Sequence, residues 1–157
     1  AGDSREGGPR AVALKKGVTV VHMTSSKMLG ASGFLARLFA IFERLEVSVD
    51  LITTSEVSVS VTIDEKHNLE ALEAALKDVA EVTVHNDQCI VAIVGRNLMA
   101  DSIVGGRIFE SLRGIPISMF SLGTSGLNLS IVMKDEDADR AVKAIHRALF
   151  EVPAAVS

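Results

Sequence analysis

Residues 48–64, SVDLITTSEVSVSVTID, decide the fold, because their pattern returns 70 residues later as SMFSLGTSGLNLSIVMK over 118–134. Ser48 falls on Ser118, Thr54 on Thr124, Ser55 on Ser125 and Ser60 on Ser130, while Val59 and Val61 fall on Leu129 and Ile131. The strict alternation in VSVSVTID is that of a half-buried strand. SVDLITTSE, with Val49, Leu51 and Thr53 on one side, is a second strand just before it. Outward from this hairpin the same step aligns Phe39 with Phe109, Val20 with Ile90, Leu72 with Val142, Ala71 with Ala141 and Ala74 with Ala144. A constant offset without gaps means two copies of one supersecondary unit. Positions where the copies agree report the fold, and positions where they differ are where a function could be added to one copy.

The remaining elements follow from periodicity. VTVVHM, from Gly17 onward, is a β-branched run that predicts a strand. After a Ser/Gly-rich loop, GFLARLFAIFERL places Phe34, Leu35, Leu38, Phe39, Ile41, Phe42 and Leu45 at helical spacing, with Ser32 as N-cap and Gly33 in the first turn. NLEALEAALKDVA predicts a second helix capped by Asn68, with Leu69, Leu72, Ala75, Leu76 and Val79 on one stripe, and EVTVH closes the unit. The second copy repeats the order: CIVAIVG, then a helix burying Ile103, Val104, Ile108, Phe109 and Leu112, two strands, and the helix DEDADRAVKAIHRALF. Each unit reads βαββαβ or a permutation of it, an α+β, ferredoxin-like plan in which two helices cover one face of an antiparallel sheet. The expected division is a tail or connector over 1–16, in which 10–16 reads as a short strand or connector, units over 17–86 and 87–151, and a tail over 152–157.

Composition narrows the function. In 157 residues of 48% hydrophobic content, two such short units bury limited cores and are expected to pack on each other or on a second chain. A net charge of -4, with no Tyr or Trp, argues against a nucleic-acid surface. Cys89 is the lone cysteine, so it forms no internal disulfide, and its strand neighbours Ile90, Val91 and Ala92 predict a buried structural thiol. No apolar run is long enough to cross a bilayer and no membrane partner is expected, which leaves the cytoplasm as the default location.

Catalytic signatures are missing. His22, His67, His85 and His146 have no metal-ligand spacing, and no metal site is expected. Neither a P-loop nor a G-x-G-x-x-G cradle occurs, Gly105-Gly106 suits close helix packing, and no G-x-S-x-G elbow is present. No catalytic residue and no cofactor are assigned, and this chain alone is not expected to be an enzyme. The copies instead differ at three informative places: Asp50 against Phe120, Glu56 against Gly126, and Gly33 against Ile103. The first copy thus has two carboxylates, and a helix start stripped of bulk whose N–H groups are open to an anion. A donor for a carboxylate beside an acceptor for an ammonium is what an amino-acid zwitterion requires, and Glu56 suits a ligand with an additional cation. The plain alternative is that Asp50 and Glu56 are surface residues at strand ends, with the Ser and Thr of TTSE as turn formers.

MLGASGFLARLF followed by VSVDLITTSEVSVSVTID resembles the regulatory region of lysine-sensitive aspartokinases, with its paired ACT domains. The resemblance runs from about Arg10 to Glu151, and RAVALKKGVTVVHM is similar to the family's connector and first strand. It implies two tandem ACT domains and feedback inhibition of aspartate phosphorylation, with L-lysine held between the first ACT domains of two subunits. The positions that match the family's effector motif are Met28, Gly33, Phe34, Leu35, Ser48, Val49, Asp50, Thr54, Ser55 and Glu56. By that resemblance the backbone at Gly33–Leu35 holds one end of lysine, Asp50 holds an ammonium and Glu56 lies near a second. The partners implied are lysine, an aspartate kinase catalytic domain and a second copy in a homodimer. Where the family's closest members read MLHSRGFL, this chain has MLGASGFL, so Gly30, Ala31 and Ser32 offer fewer polar side chains. The family's K-[FV]-G-G-[ST] kinase signature is missing, which fits an excised fragment, a separate regulatory subunit or part of a fusion. A sensor for threonine or S-adenosylmethionine and a ligand-free oligomerisation module are the competing readings.

Overall fold

The computed structural model describes residues 8–26, 32–64, 68–96, 98, 100, 102–123 and 128–151. The chain divides into two compact units, Gly17–Gln88 and Ala1–Lys16 with Cys89–Ser157.

In the unit of residues 17–88 the strands are the second half of β1 (Gly8–Thr24), β2 (Ile52–Thr54), β3 (Ser58–Ile63) and the first half of β4 (Glu81–Arg96). Their order is β2-β3-β1-β4. The alternating run 58–63 becomes β3, paired antiparallel with β1 (Val21↔Val61) and with β2 (Thr53↔Ser60). Helices α1 (Phe34–Arg44) and α2 (Leu69–Lys77) close one face. Phe34, Leu38, Phe42, Leu72 and Leu76 pack there with Val21, Met23, Val59, Val61 and Ile63. Each side chain so buried contributes roughly 1.5–3 kcal/mol, so this face holds the unit together.

The ends of α1 show the local chemistry. Val47 N–H donates to the Phe42 carbonyl at 2.9 Å and Glu46 N–H to that of Glu43 at 3.0 Å. Glu46 sits at φ 55, so these two bonds close the helix through a left-handed residue. The start differs from expectation. Gly33, not Ser32, occupies the N-cap, at φ 80, and no side chain caps it. A Cβ there would meet only Arg37 Nη1 at 3.6 Å, so glycine is wanted for its conformation rather than for space. Asn68 stands at the N-cap of α2 as expected, but its Nδ2 donates 3.0 Å to the Leu45 carbonyl and so ties the two helices together.

The other unit uses the first half of β1, the second half of β4, β5 (Met119–Leu122) and β6 (Asn128–Lys134), in the order β1-β4-β6-β5. Helices α3 (Ser102–Ser111) and α4 (Ala138–Phe150) set Ile108, Ala141 and Ile145 against Val91, Ile93, Ile131 and Met133. Of the two readings for residues 10–16 the structure has the strand: Val12 packs on this core as Val82 packs on the other. Gly95 marks the close approach, because a Cβ there would collide with the Gly8 backbone and lie 2.6 Å from Leu98 Cδ2. EVTVH and CIVAIVG are likewise one strand, not two. Both long strands carry a left-handed residue near the division, Gly17 at φ 72 and Asp87 at φ 54. Two ferredoxin-like units thus form, but the second takes its fourth strand from the chain ahead of the first.

The constant offset of 70 holds for the first strands, the first helices and the β3/β6 pair, where Val59, Val61 and Ile63 match Leu129, Ile131 and Met133 in burial. It fails elsewhere. Thr62 accepts the Asp50 N–H at 2.9 Å as Val132 accepts that of Ser118 at 2.8 Å, so the structural counterpart of Asp50 is Ser118 rather than Phe120. Phe120 pairs with Ile131 as Ile52 pairs with Val61. Glu46 is matched by Gly114, at φ 81, and Val47 by Ile115. The second helices are shifted by one: Leu72 and Leu76 match Ala141 and Ile145, whereas Ala71 is exposed. Loops of different length absorb these slips while packing keeps the buried faces aligned. Two expected core residues also lie outside the stripes, Ile103 at 62% exposure and Val79 at 36%.

Candidate functional site

The residues expected to form the receptor lie in the unit of residues 17–88, on two of its elements. The first is the start of α1. With Gly33 left-handed, no side-chain cap and no acid in the first turn, the N–H groups of this turn point out of the helix at its positive end. Phe34 is buried beneath it and Leu35 is 42% exposed beside it. A cavity of about 220 Å³ opens here, lined by Phe34, Arg37, Leu38, Asp78 and Val79. A second, of about 480 Å³, lies between Thr24–Ser26 and the 77–81 segment after α2. Met28, expected beside these, lies outside the described residues.

The second place is the edge strand. Asp50 N–H donates to the Thr62 carbonyl, Leu51 N–H to Thr62 Oγ1 at 2.9 Å, and Thr62 N–H to the Leu51 carbonyl at 3.0 Å. Thr62 is fully buried, so this three-bond clamp fixes the backbone that carries Asp50 while the aspartate itself stays exposed. Ser48 is exposed, and Val49 rests on the core cluster that also holds Phe34. At the far end of β2, Ser55 N–H donates to the Ser58 carbonyl at 2.9 Å and their hydroxyls meet at 2.6 Å. That turn carries Thr54, Ser55 and Glu56, all exposed, at its tip.

Asp50 and Glu56 are therefore not brought together within one chain. The strand β2, Ile52–Thr54, lies between them and spans about 7 Å at about 3.3 Å per residue, with Asp50 and Glu56 each at a bend two residues outside it. β2 is also the last strand of its sheet, with Ile52 46% exposed along it. Such an edge offers unpaired backbone groups to another strand.

The histidines and the cysteine lie apart from these residues, and His67 lies outside the described residues. His22 is half-buried, with Nδ1 2.7 Å from Ser60 Oγ and Nε2 3.2 Å from Thr24 Oγ1, so both ring nitrogens are engaged. His146 pairs with Glu151 at 3.1 Å, and His85 is exposed. Cys89 is fully buried, with Sγ 3.7 Å from the Lys134 carbonyl, and burial, with help from Asp135, pushes its thiol up to about 11. Among the described residues no cluster of His, Cys, Asp or Glu could hold a metal ion, and no helix is long and apolar enough to cross a membrane.

Two ferredoxin-like units, one with an uncapped helix start and an exposed carboxylate beside an open edge strand, match a family model described as ACT domain over residues 21–78 and again over 91–149. The chain belongs to the ACT-domain family. Within it, this is a regulatory region of the aspartokinase kind. A C-terminal regulatory domain assigned to aspartate kinase from Porphyromonas gingivalis W83 superposes with TM-score 0.78 at 41% identity, covering 89% of this chain and 96% of that one. Escherichia coli aspartokinase III, in complex with lysine and aspartate in its T-state, gives TM-score 0.80 at 35% identity, over 95% of this chain and 35% of that one. Aspartokinase 3 of Arabidopsis thaliana, a chloroplastic protein, is 38% identical over 151 residues, 89% of this chain and 27% of its own length. The chain thus spans about a quarter to a third of these longer aspartokinases.

Proposed function

We propose that two copies of this chain bind L-lysine between their first ACT domains and pass that binding to an aspartate kinase catalytic domain as feedback inhibition. The observation that carries the reading is the placement of Asp50 and Glu56 two residues outside the opposite ends of the open edge strand β2. If β2 pairs antiparallel with its own copy about a two-fold axis at Thr53, Asp50 of one chain falls opposite Glu56 of the other, because each lies three residues from the axis. Two carboxylates brought face to face repel, and a cation between them removes the repulsion. A lysine ammonium is such a cation, and the uncapped start of α1 is a receptor for a carboxylate. Lysine then favours the paired arrangement over the separate one, which is the differential affinity that any allosteric effector requires. The similarity to an E. coli aspartokinase crystallised with lysine supports the same ligand.

The test is a ligand panel read by thermal shift and by sedimentation. Lysine at 100 times its Kd stabilises the native state by about 2.7 kcal/mol and raises the dimer fraction. A larger shift with threonine or S-adenosylmethionine assigns the site to that ligand instead. No shift with any of them leaves an oligomerisation module and overturns the proposal.

A further inference from the structure

Each unit has a groove between its two helices, and the two grooves differ in charge. In the unit of residues 17–88 the cavity between α1 and α2 is lined by one base and one acid, Arg37 and Asp78. In the other unit the groove between α3 and α4 is larger, about 550 Å³, and is lined by Ile103, Gly106, Arg107, Glu110, Arg147 and Ala148 among others. The packing registers found above, 70 for the first helices and 69 for the second, place Arg107 at the position of Arg37 and Arg147 at that of Asp78. The balanced pair of one copy is therefore a double positive charge in the other. Glu110 does not neutralise it, since its carboxylate is paired with Arg113. Among the described residues no ion pair holds the Arg107 or Arg147 guanidinium.

We infer that the α3–α4 groove binds a small organic anion with two negative charges on a short apolar body, at a site separate from the proposed lysine receptor. Arg107 and Arg147, both exposed, bring two positive charges to one groove, and guanidinium matches carboxylate or phosphate oxygens in paired hydrogen bonds. The floor is apolar: Ile103 is 62% exposed, and Gly106 leaves open space where a Cβ would meet nothing within 4 Å. An anion with a methylene spacer covers that floor, whereas inorganic phosphate uses only the charges.

The inference does not depend on lysine binding, and it is tested on the full chain by titrating succinate and, separately, inorganic phosphate at constant ionic strength. Backbone amide resonances of Gly106 and Ala148 report the groove by NMR. Saturable shifts with either anion are expected, and the tighter of the two identifies the dicarboxylate or the phosphate as the chemistry recognised. Arg147→Asp, which recreates the charge balance of the other copy, weakens binding at least tenfold. Gly106→Leu fills the groove without changing charge and does the same, while Asp50→Asn leaves the affinity unchanged. Linear, non-saturating shifts with both anions overturn the inference. So does an Arg147→Asp chain that remains folded and binds as tightly as the parent.

Discussion

Replacing Asp50 by Asn removes one charge and little volume, and the structure supplies two very different magnitudes for the result. In a single copy Asp50 is exposed. An ammonium held there in water gains at most about 1 kcal/mol, so the substitution would weaken lysine about fivefold. If the same carboxylate is covered by a second copy, the loss is that of a desolvated, hydrogen-bonded charge pair, about 2–5 kcal/mol, or roughly 30-fold to several thousand-fold in Kd. The backbone clamp to Thr62 survives the change, because its three bonds use the Asp50 and Leu51 main chain and the threonine. Fold stability should therefore stay within about 0.5 kcal/mol of the parent, the usual range for a surface position. The assay is calorimetric titration of lysine into both proteins at concentrations where the parent is dimeric, with thermal melts of each as a control for folding. A loss above 30-fold with an unchanged melt is expected. A loss below about fivefold refutes the argument that this acid is buried against lysine by a partner copy.

The C-terminal turn of α1 and the buried thiol give two further predictions. Glu46 adopts a left-handed conformation where the second copy uses Gly114, so Glu46→Gly should stabilise the chain by about 0.5–1 kcal/mol. Chemical denaturation reads this as a higher midpoint at unchanged slope, and a lower midpoint contradicts it. Burial raises the Cys89 thiol from 9.0 to about 11. Its thiolate is then more accessible to the unfolded than to the folded chain, so this contribution to stability is intact below pH 9 and is lost as the pH rises towards 11. Iodoacetamide should leave the native protein unmodified at pH 8 and label it in denaturant; rapid native labelling at pH 8 would contradict the buried placement.

Much of the fold was legible because it rests on short-range periodicity. The alternation in VSVSVTID fixed which of its residues face the helices, and Phe34, Leu38 and Phe42 fixed the buried side of α1. What was misread depends on where elements meet. RAVALKK has strand-forming residues, but nothing in those residues names the sheet they join. Identical residues such as Ala71 and Ala141 suggested an unbroken repeat, yet one is exposed and the other buried, because the loops before them differ in length. Ile103 sits on the apolar side of its helix wheel, but it lines the open α3–α4 groove, and a wheel cannot tell a groove from the core. The candidate site was legible as residue types, Gly33 with Asp50 and Glu56, but not as geometry: residue types alone do not say that β2 lies between the two acids of one copy.

From the sequence come the elements, the two ferredoxin-like units and the residues of the first copy that differ in charge from the second. All of these follow from which side chains avoid water along one helix or one strand. The tertiary structure alone decided that β1 serves both units, that Ser118 is the partner position of Asp50, and that Arg147 stands where Asp78 does. Those are relations between segments distant in the chain, set by packing and hydrogen-bond register, and no local pattern encodes them.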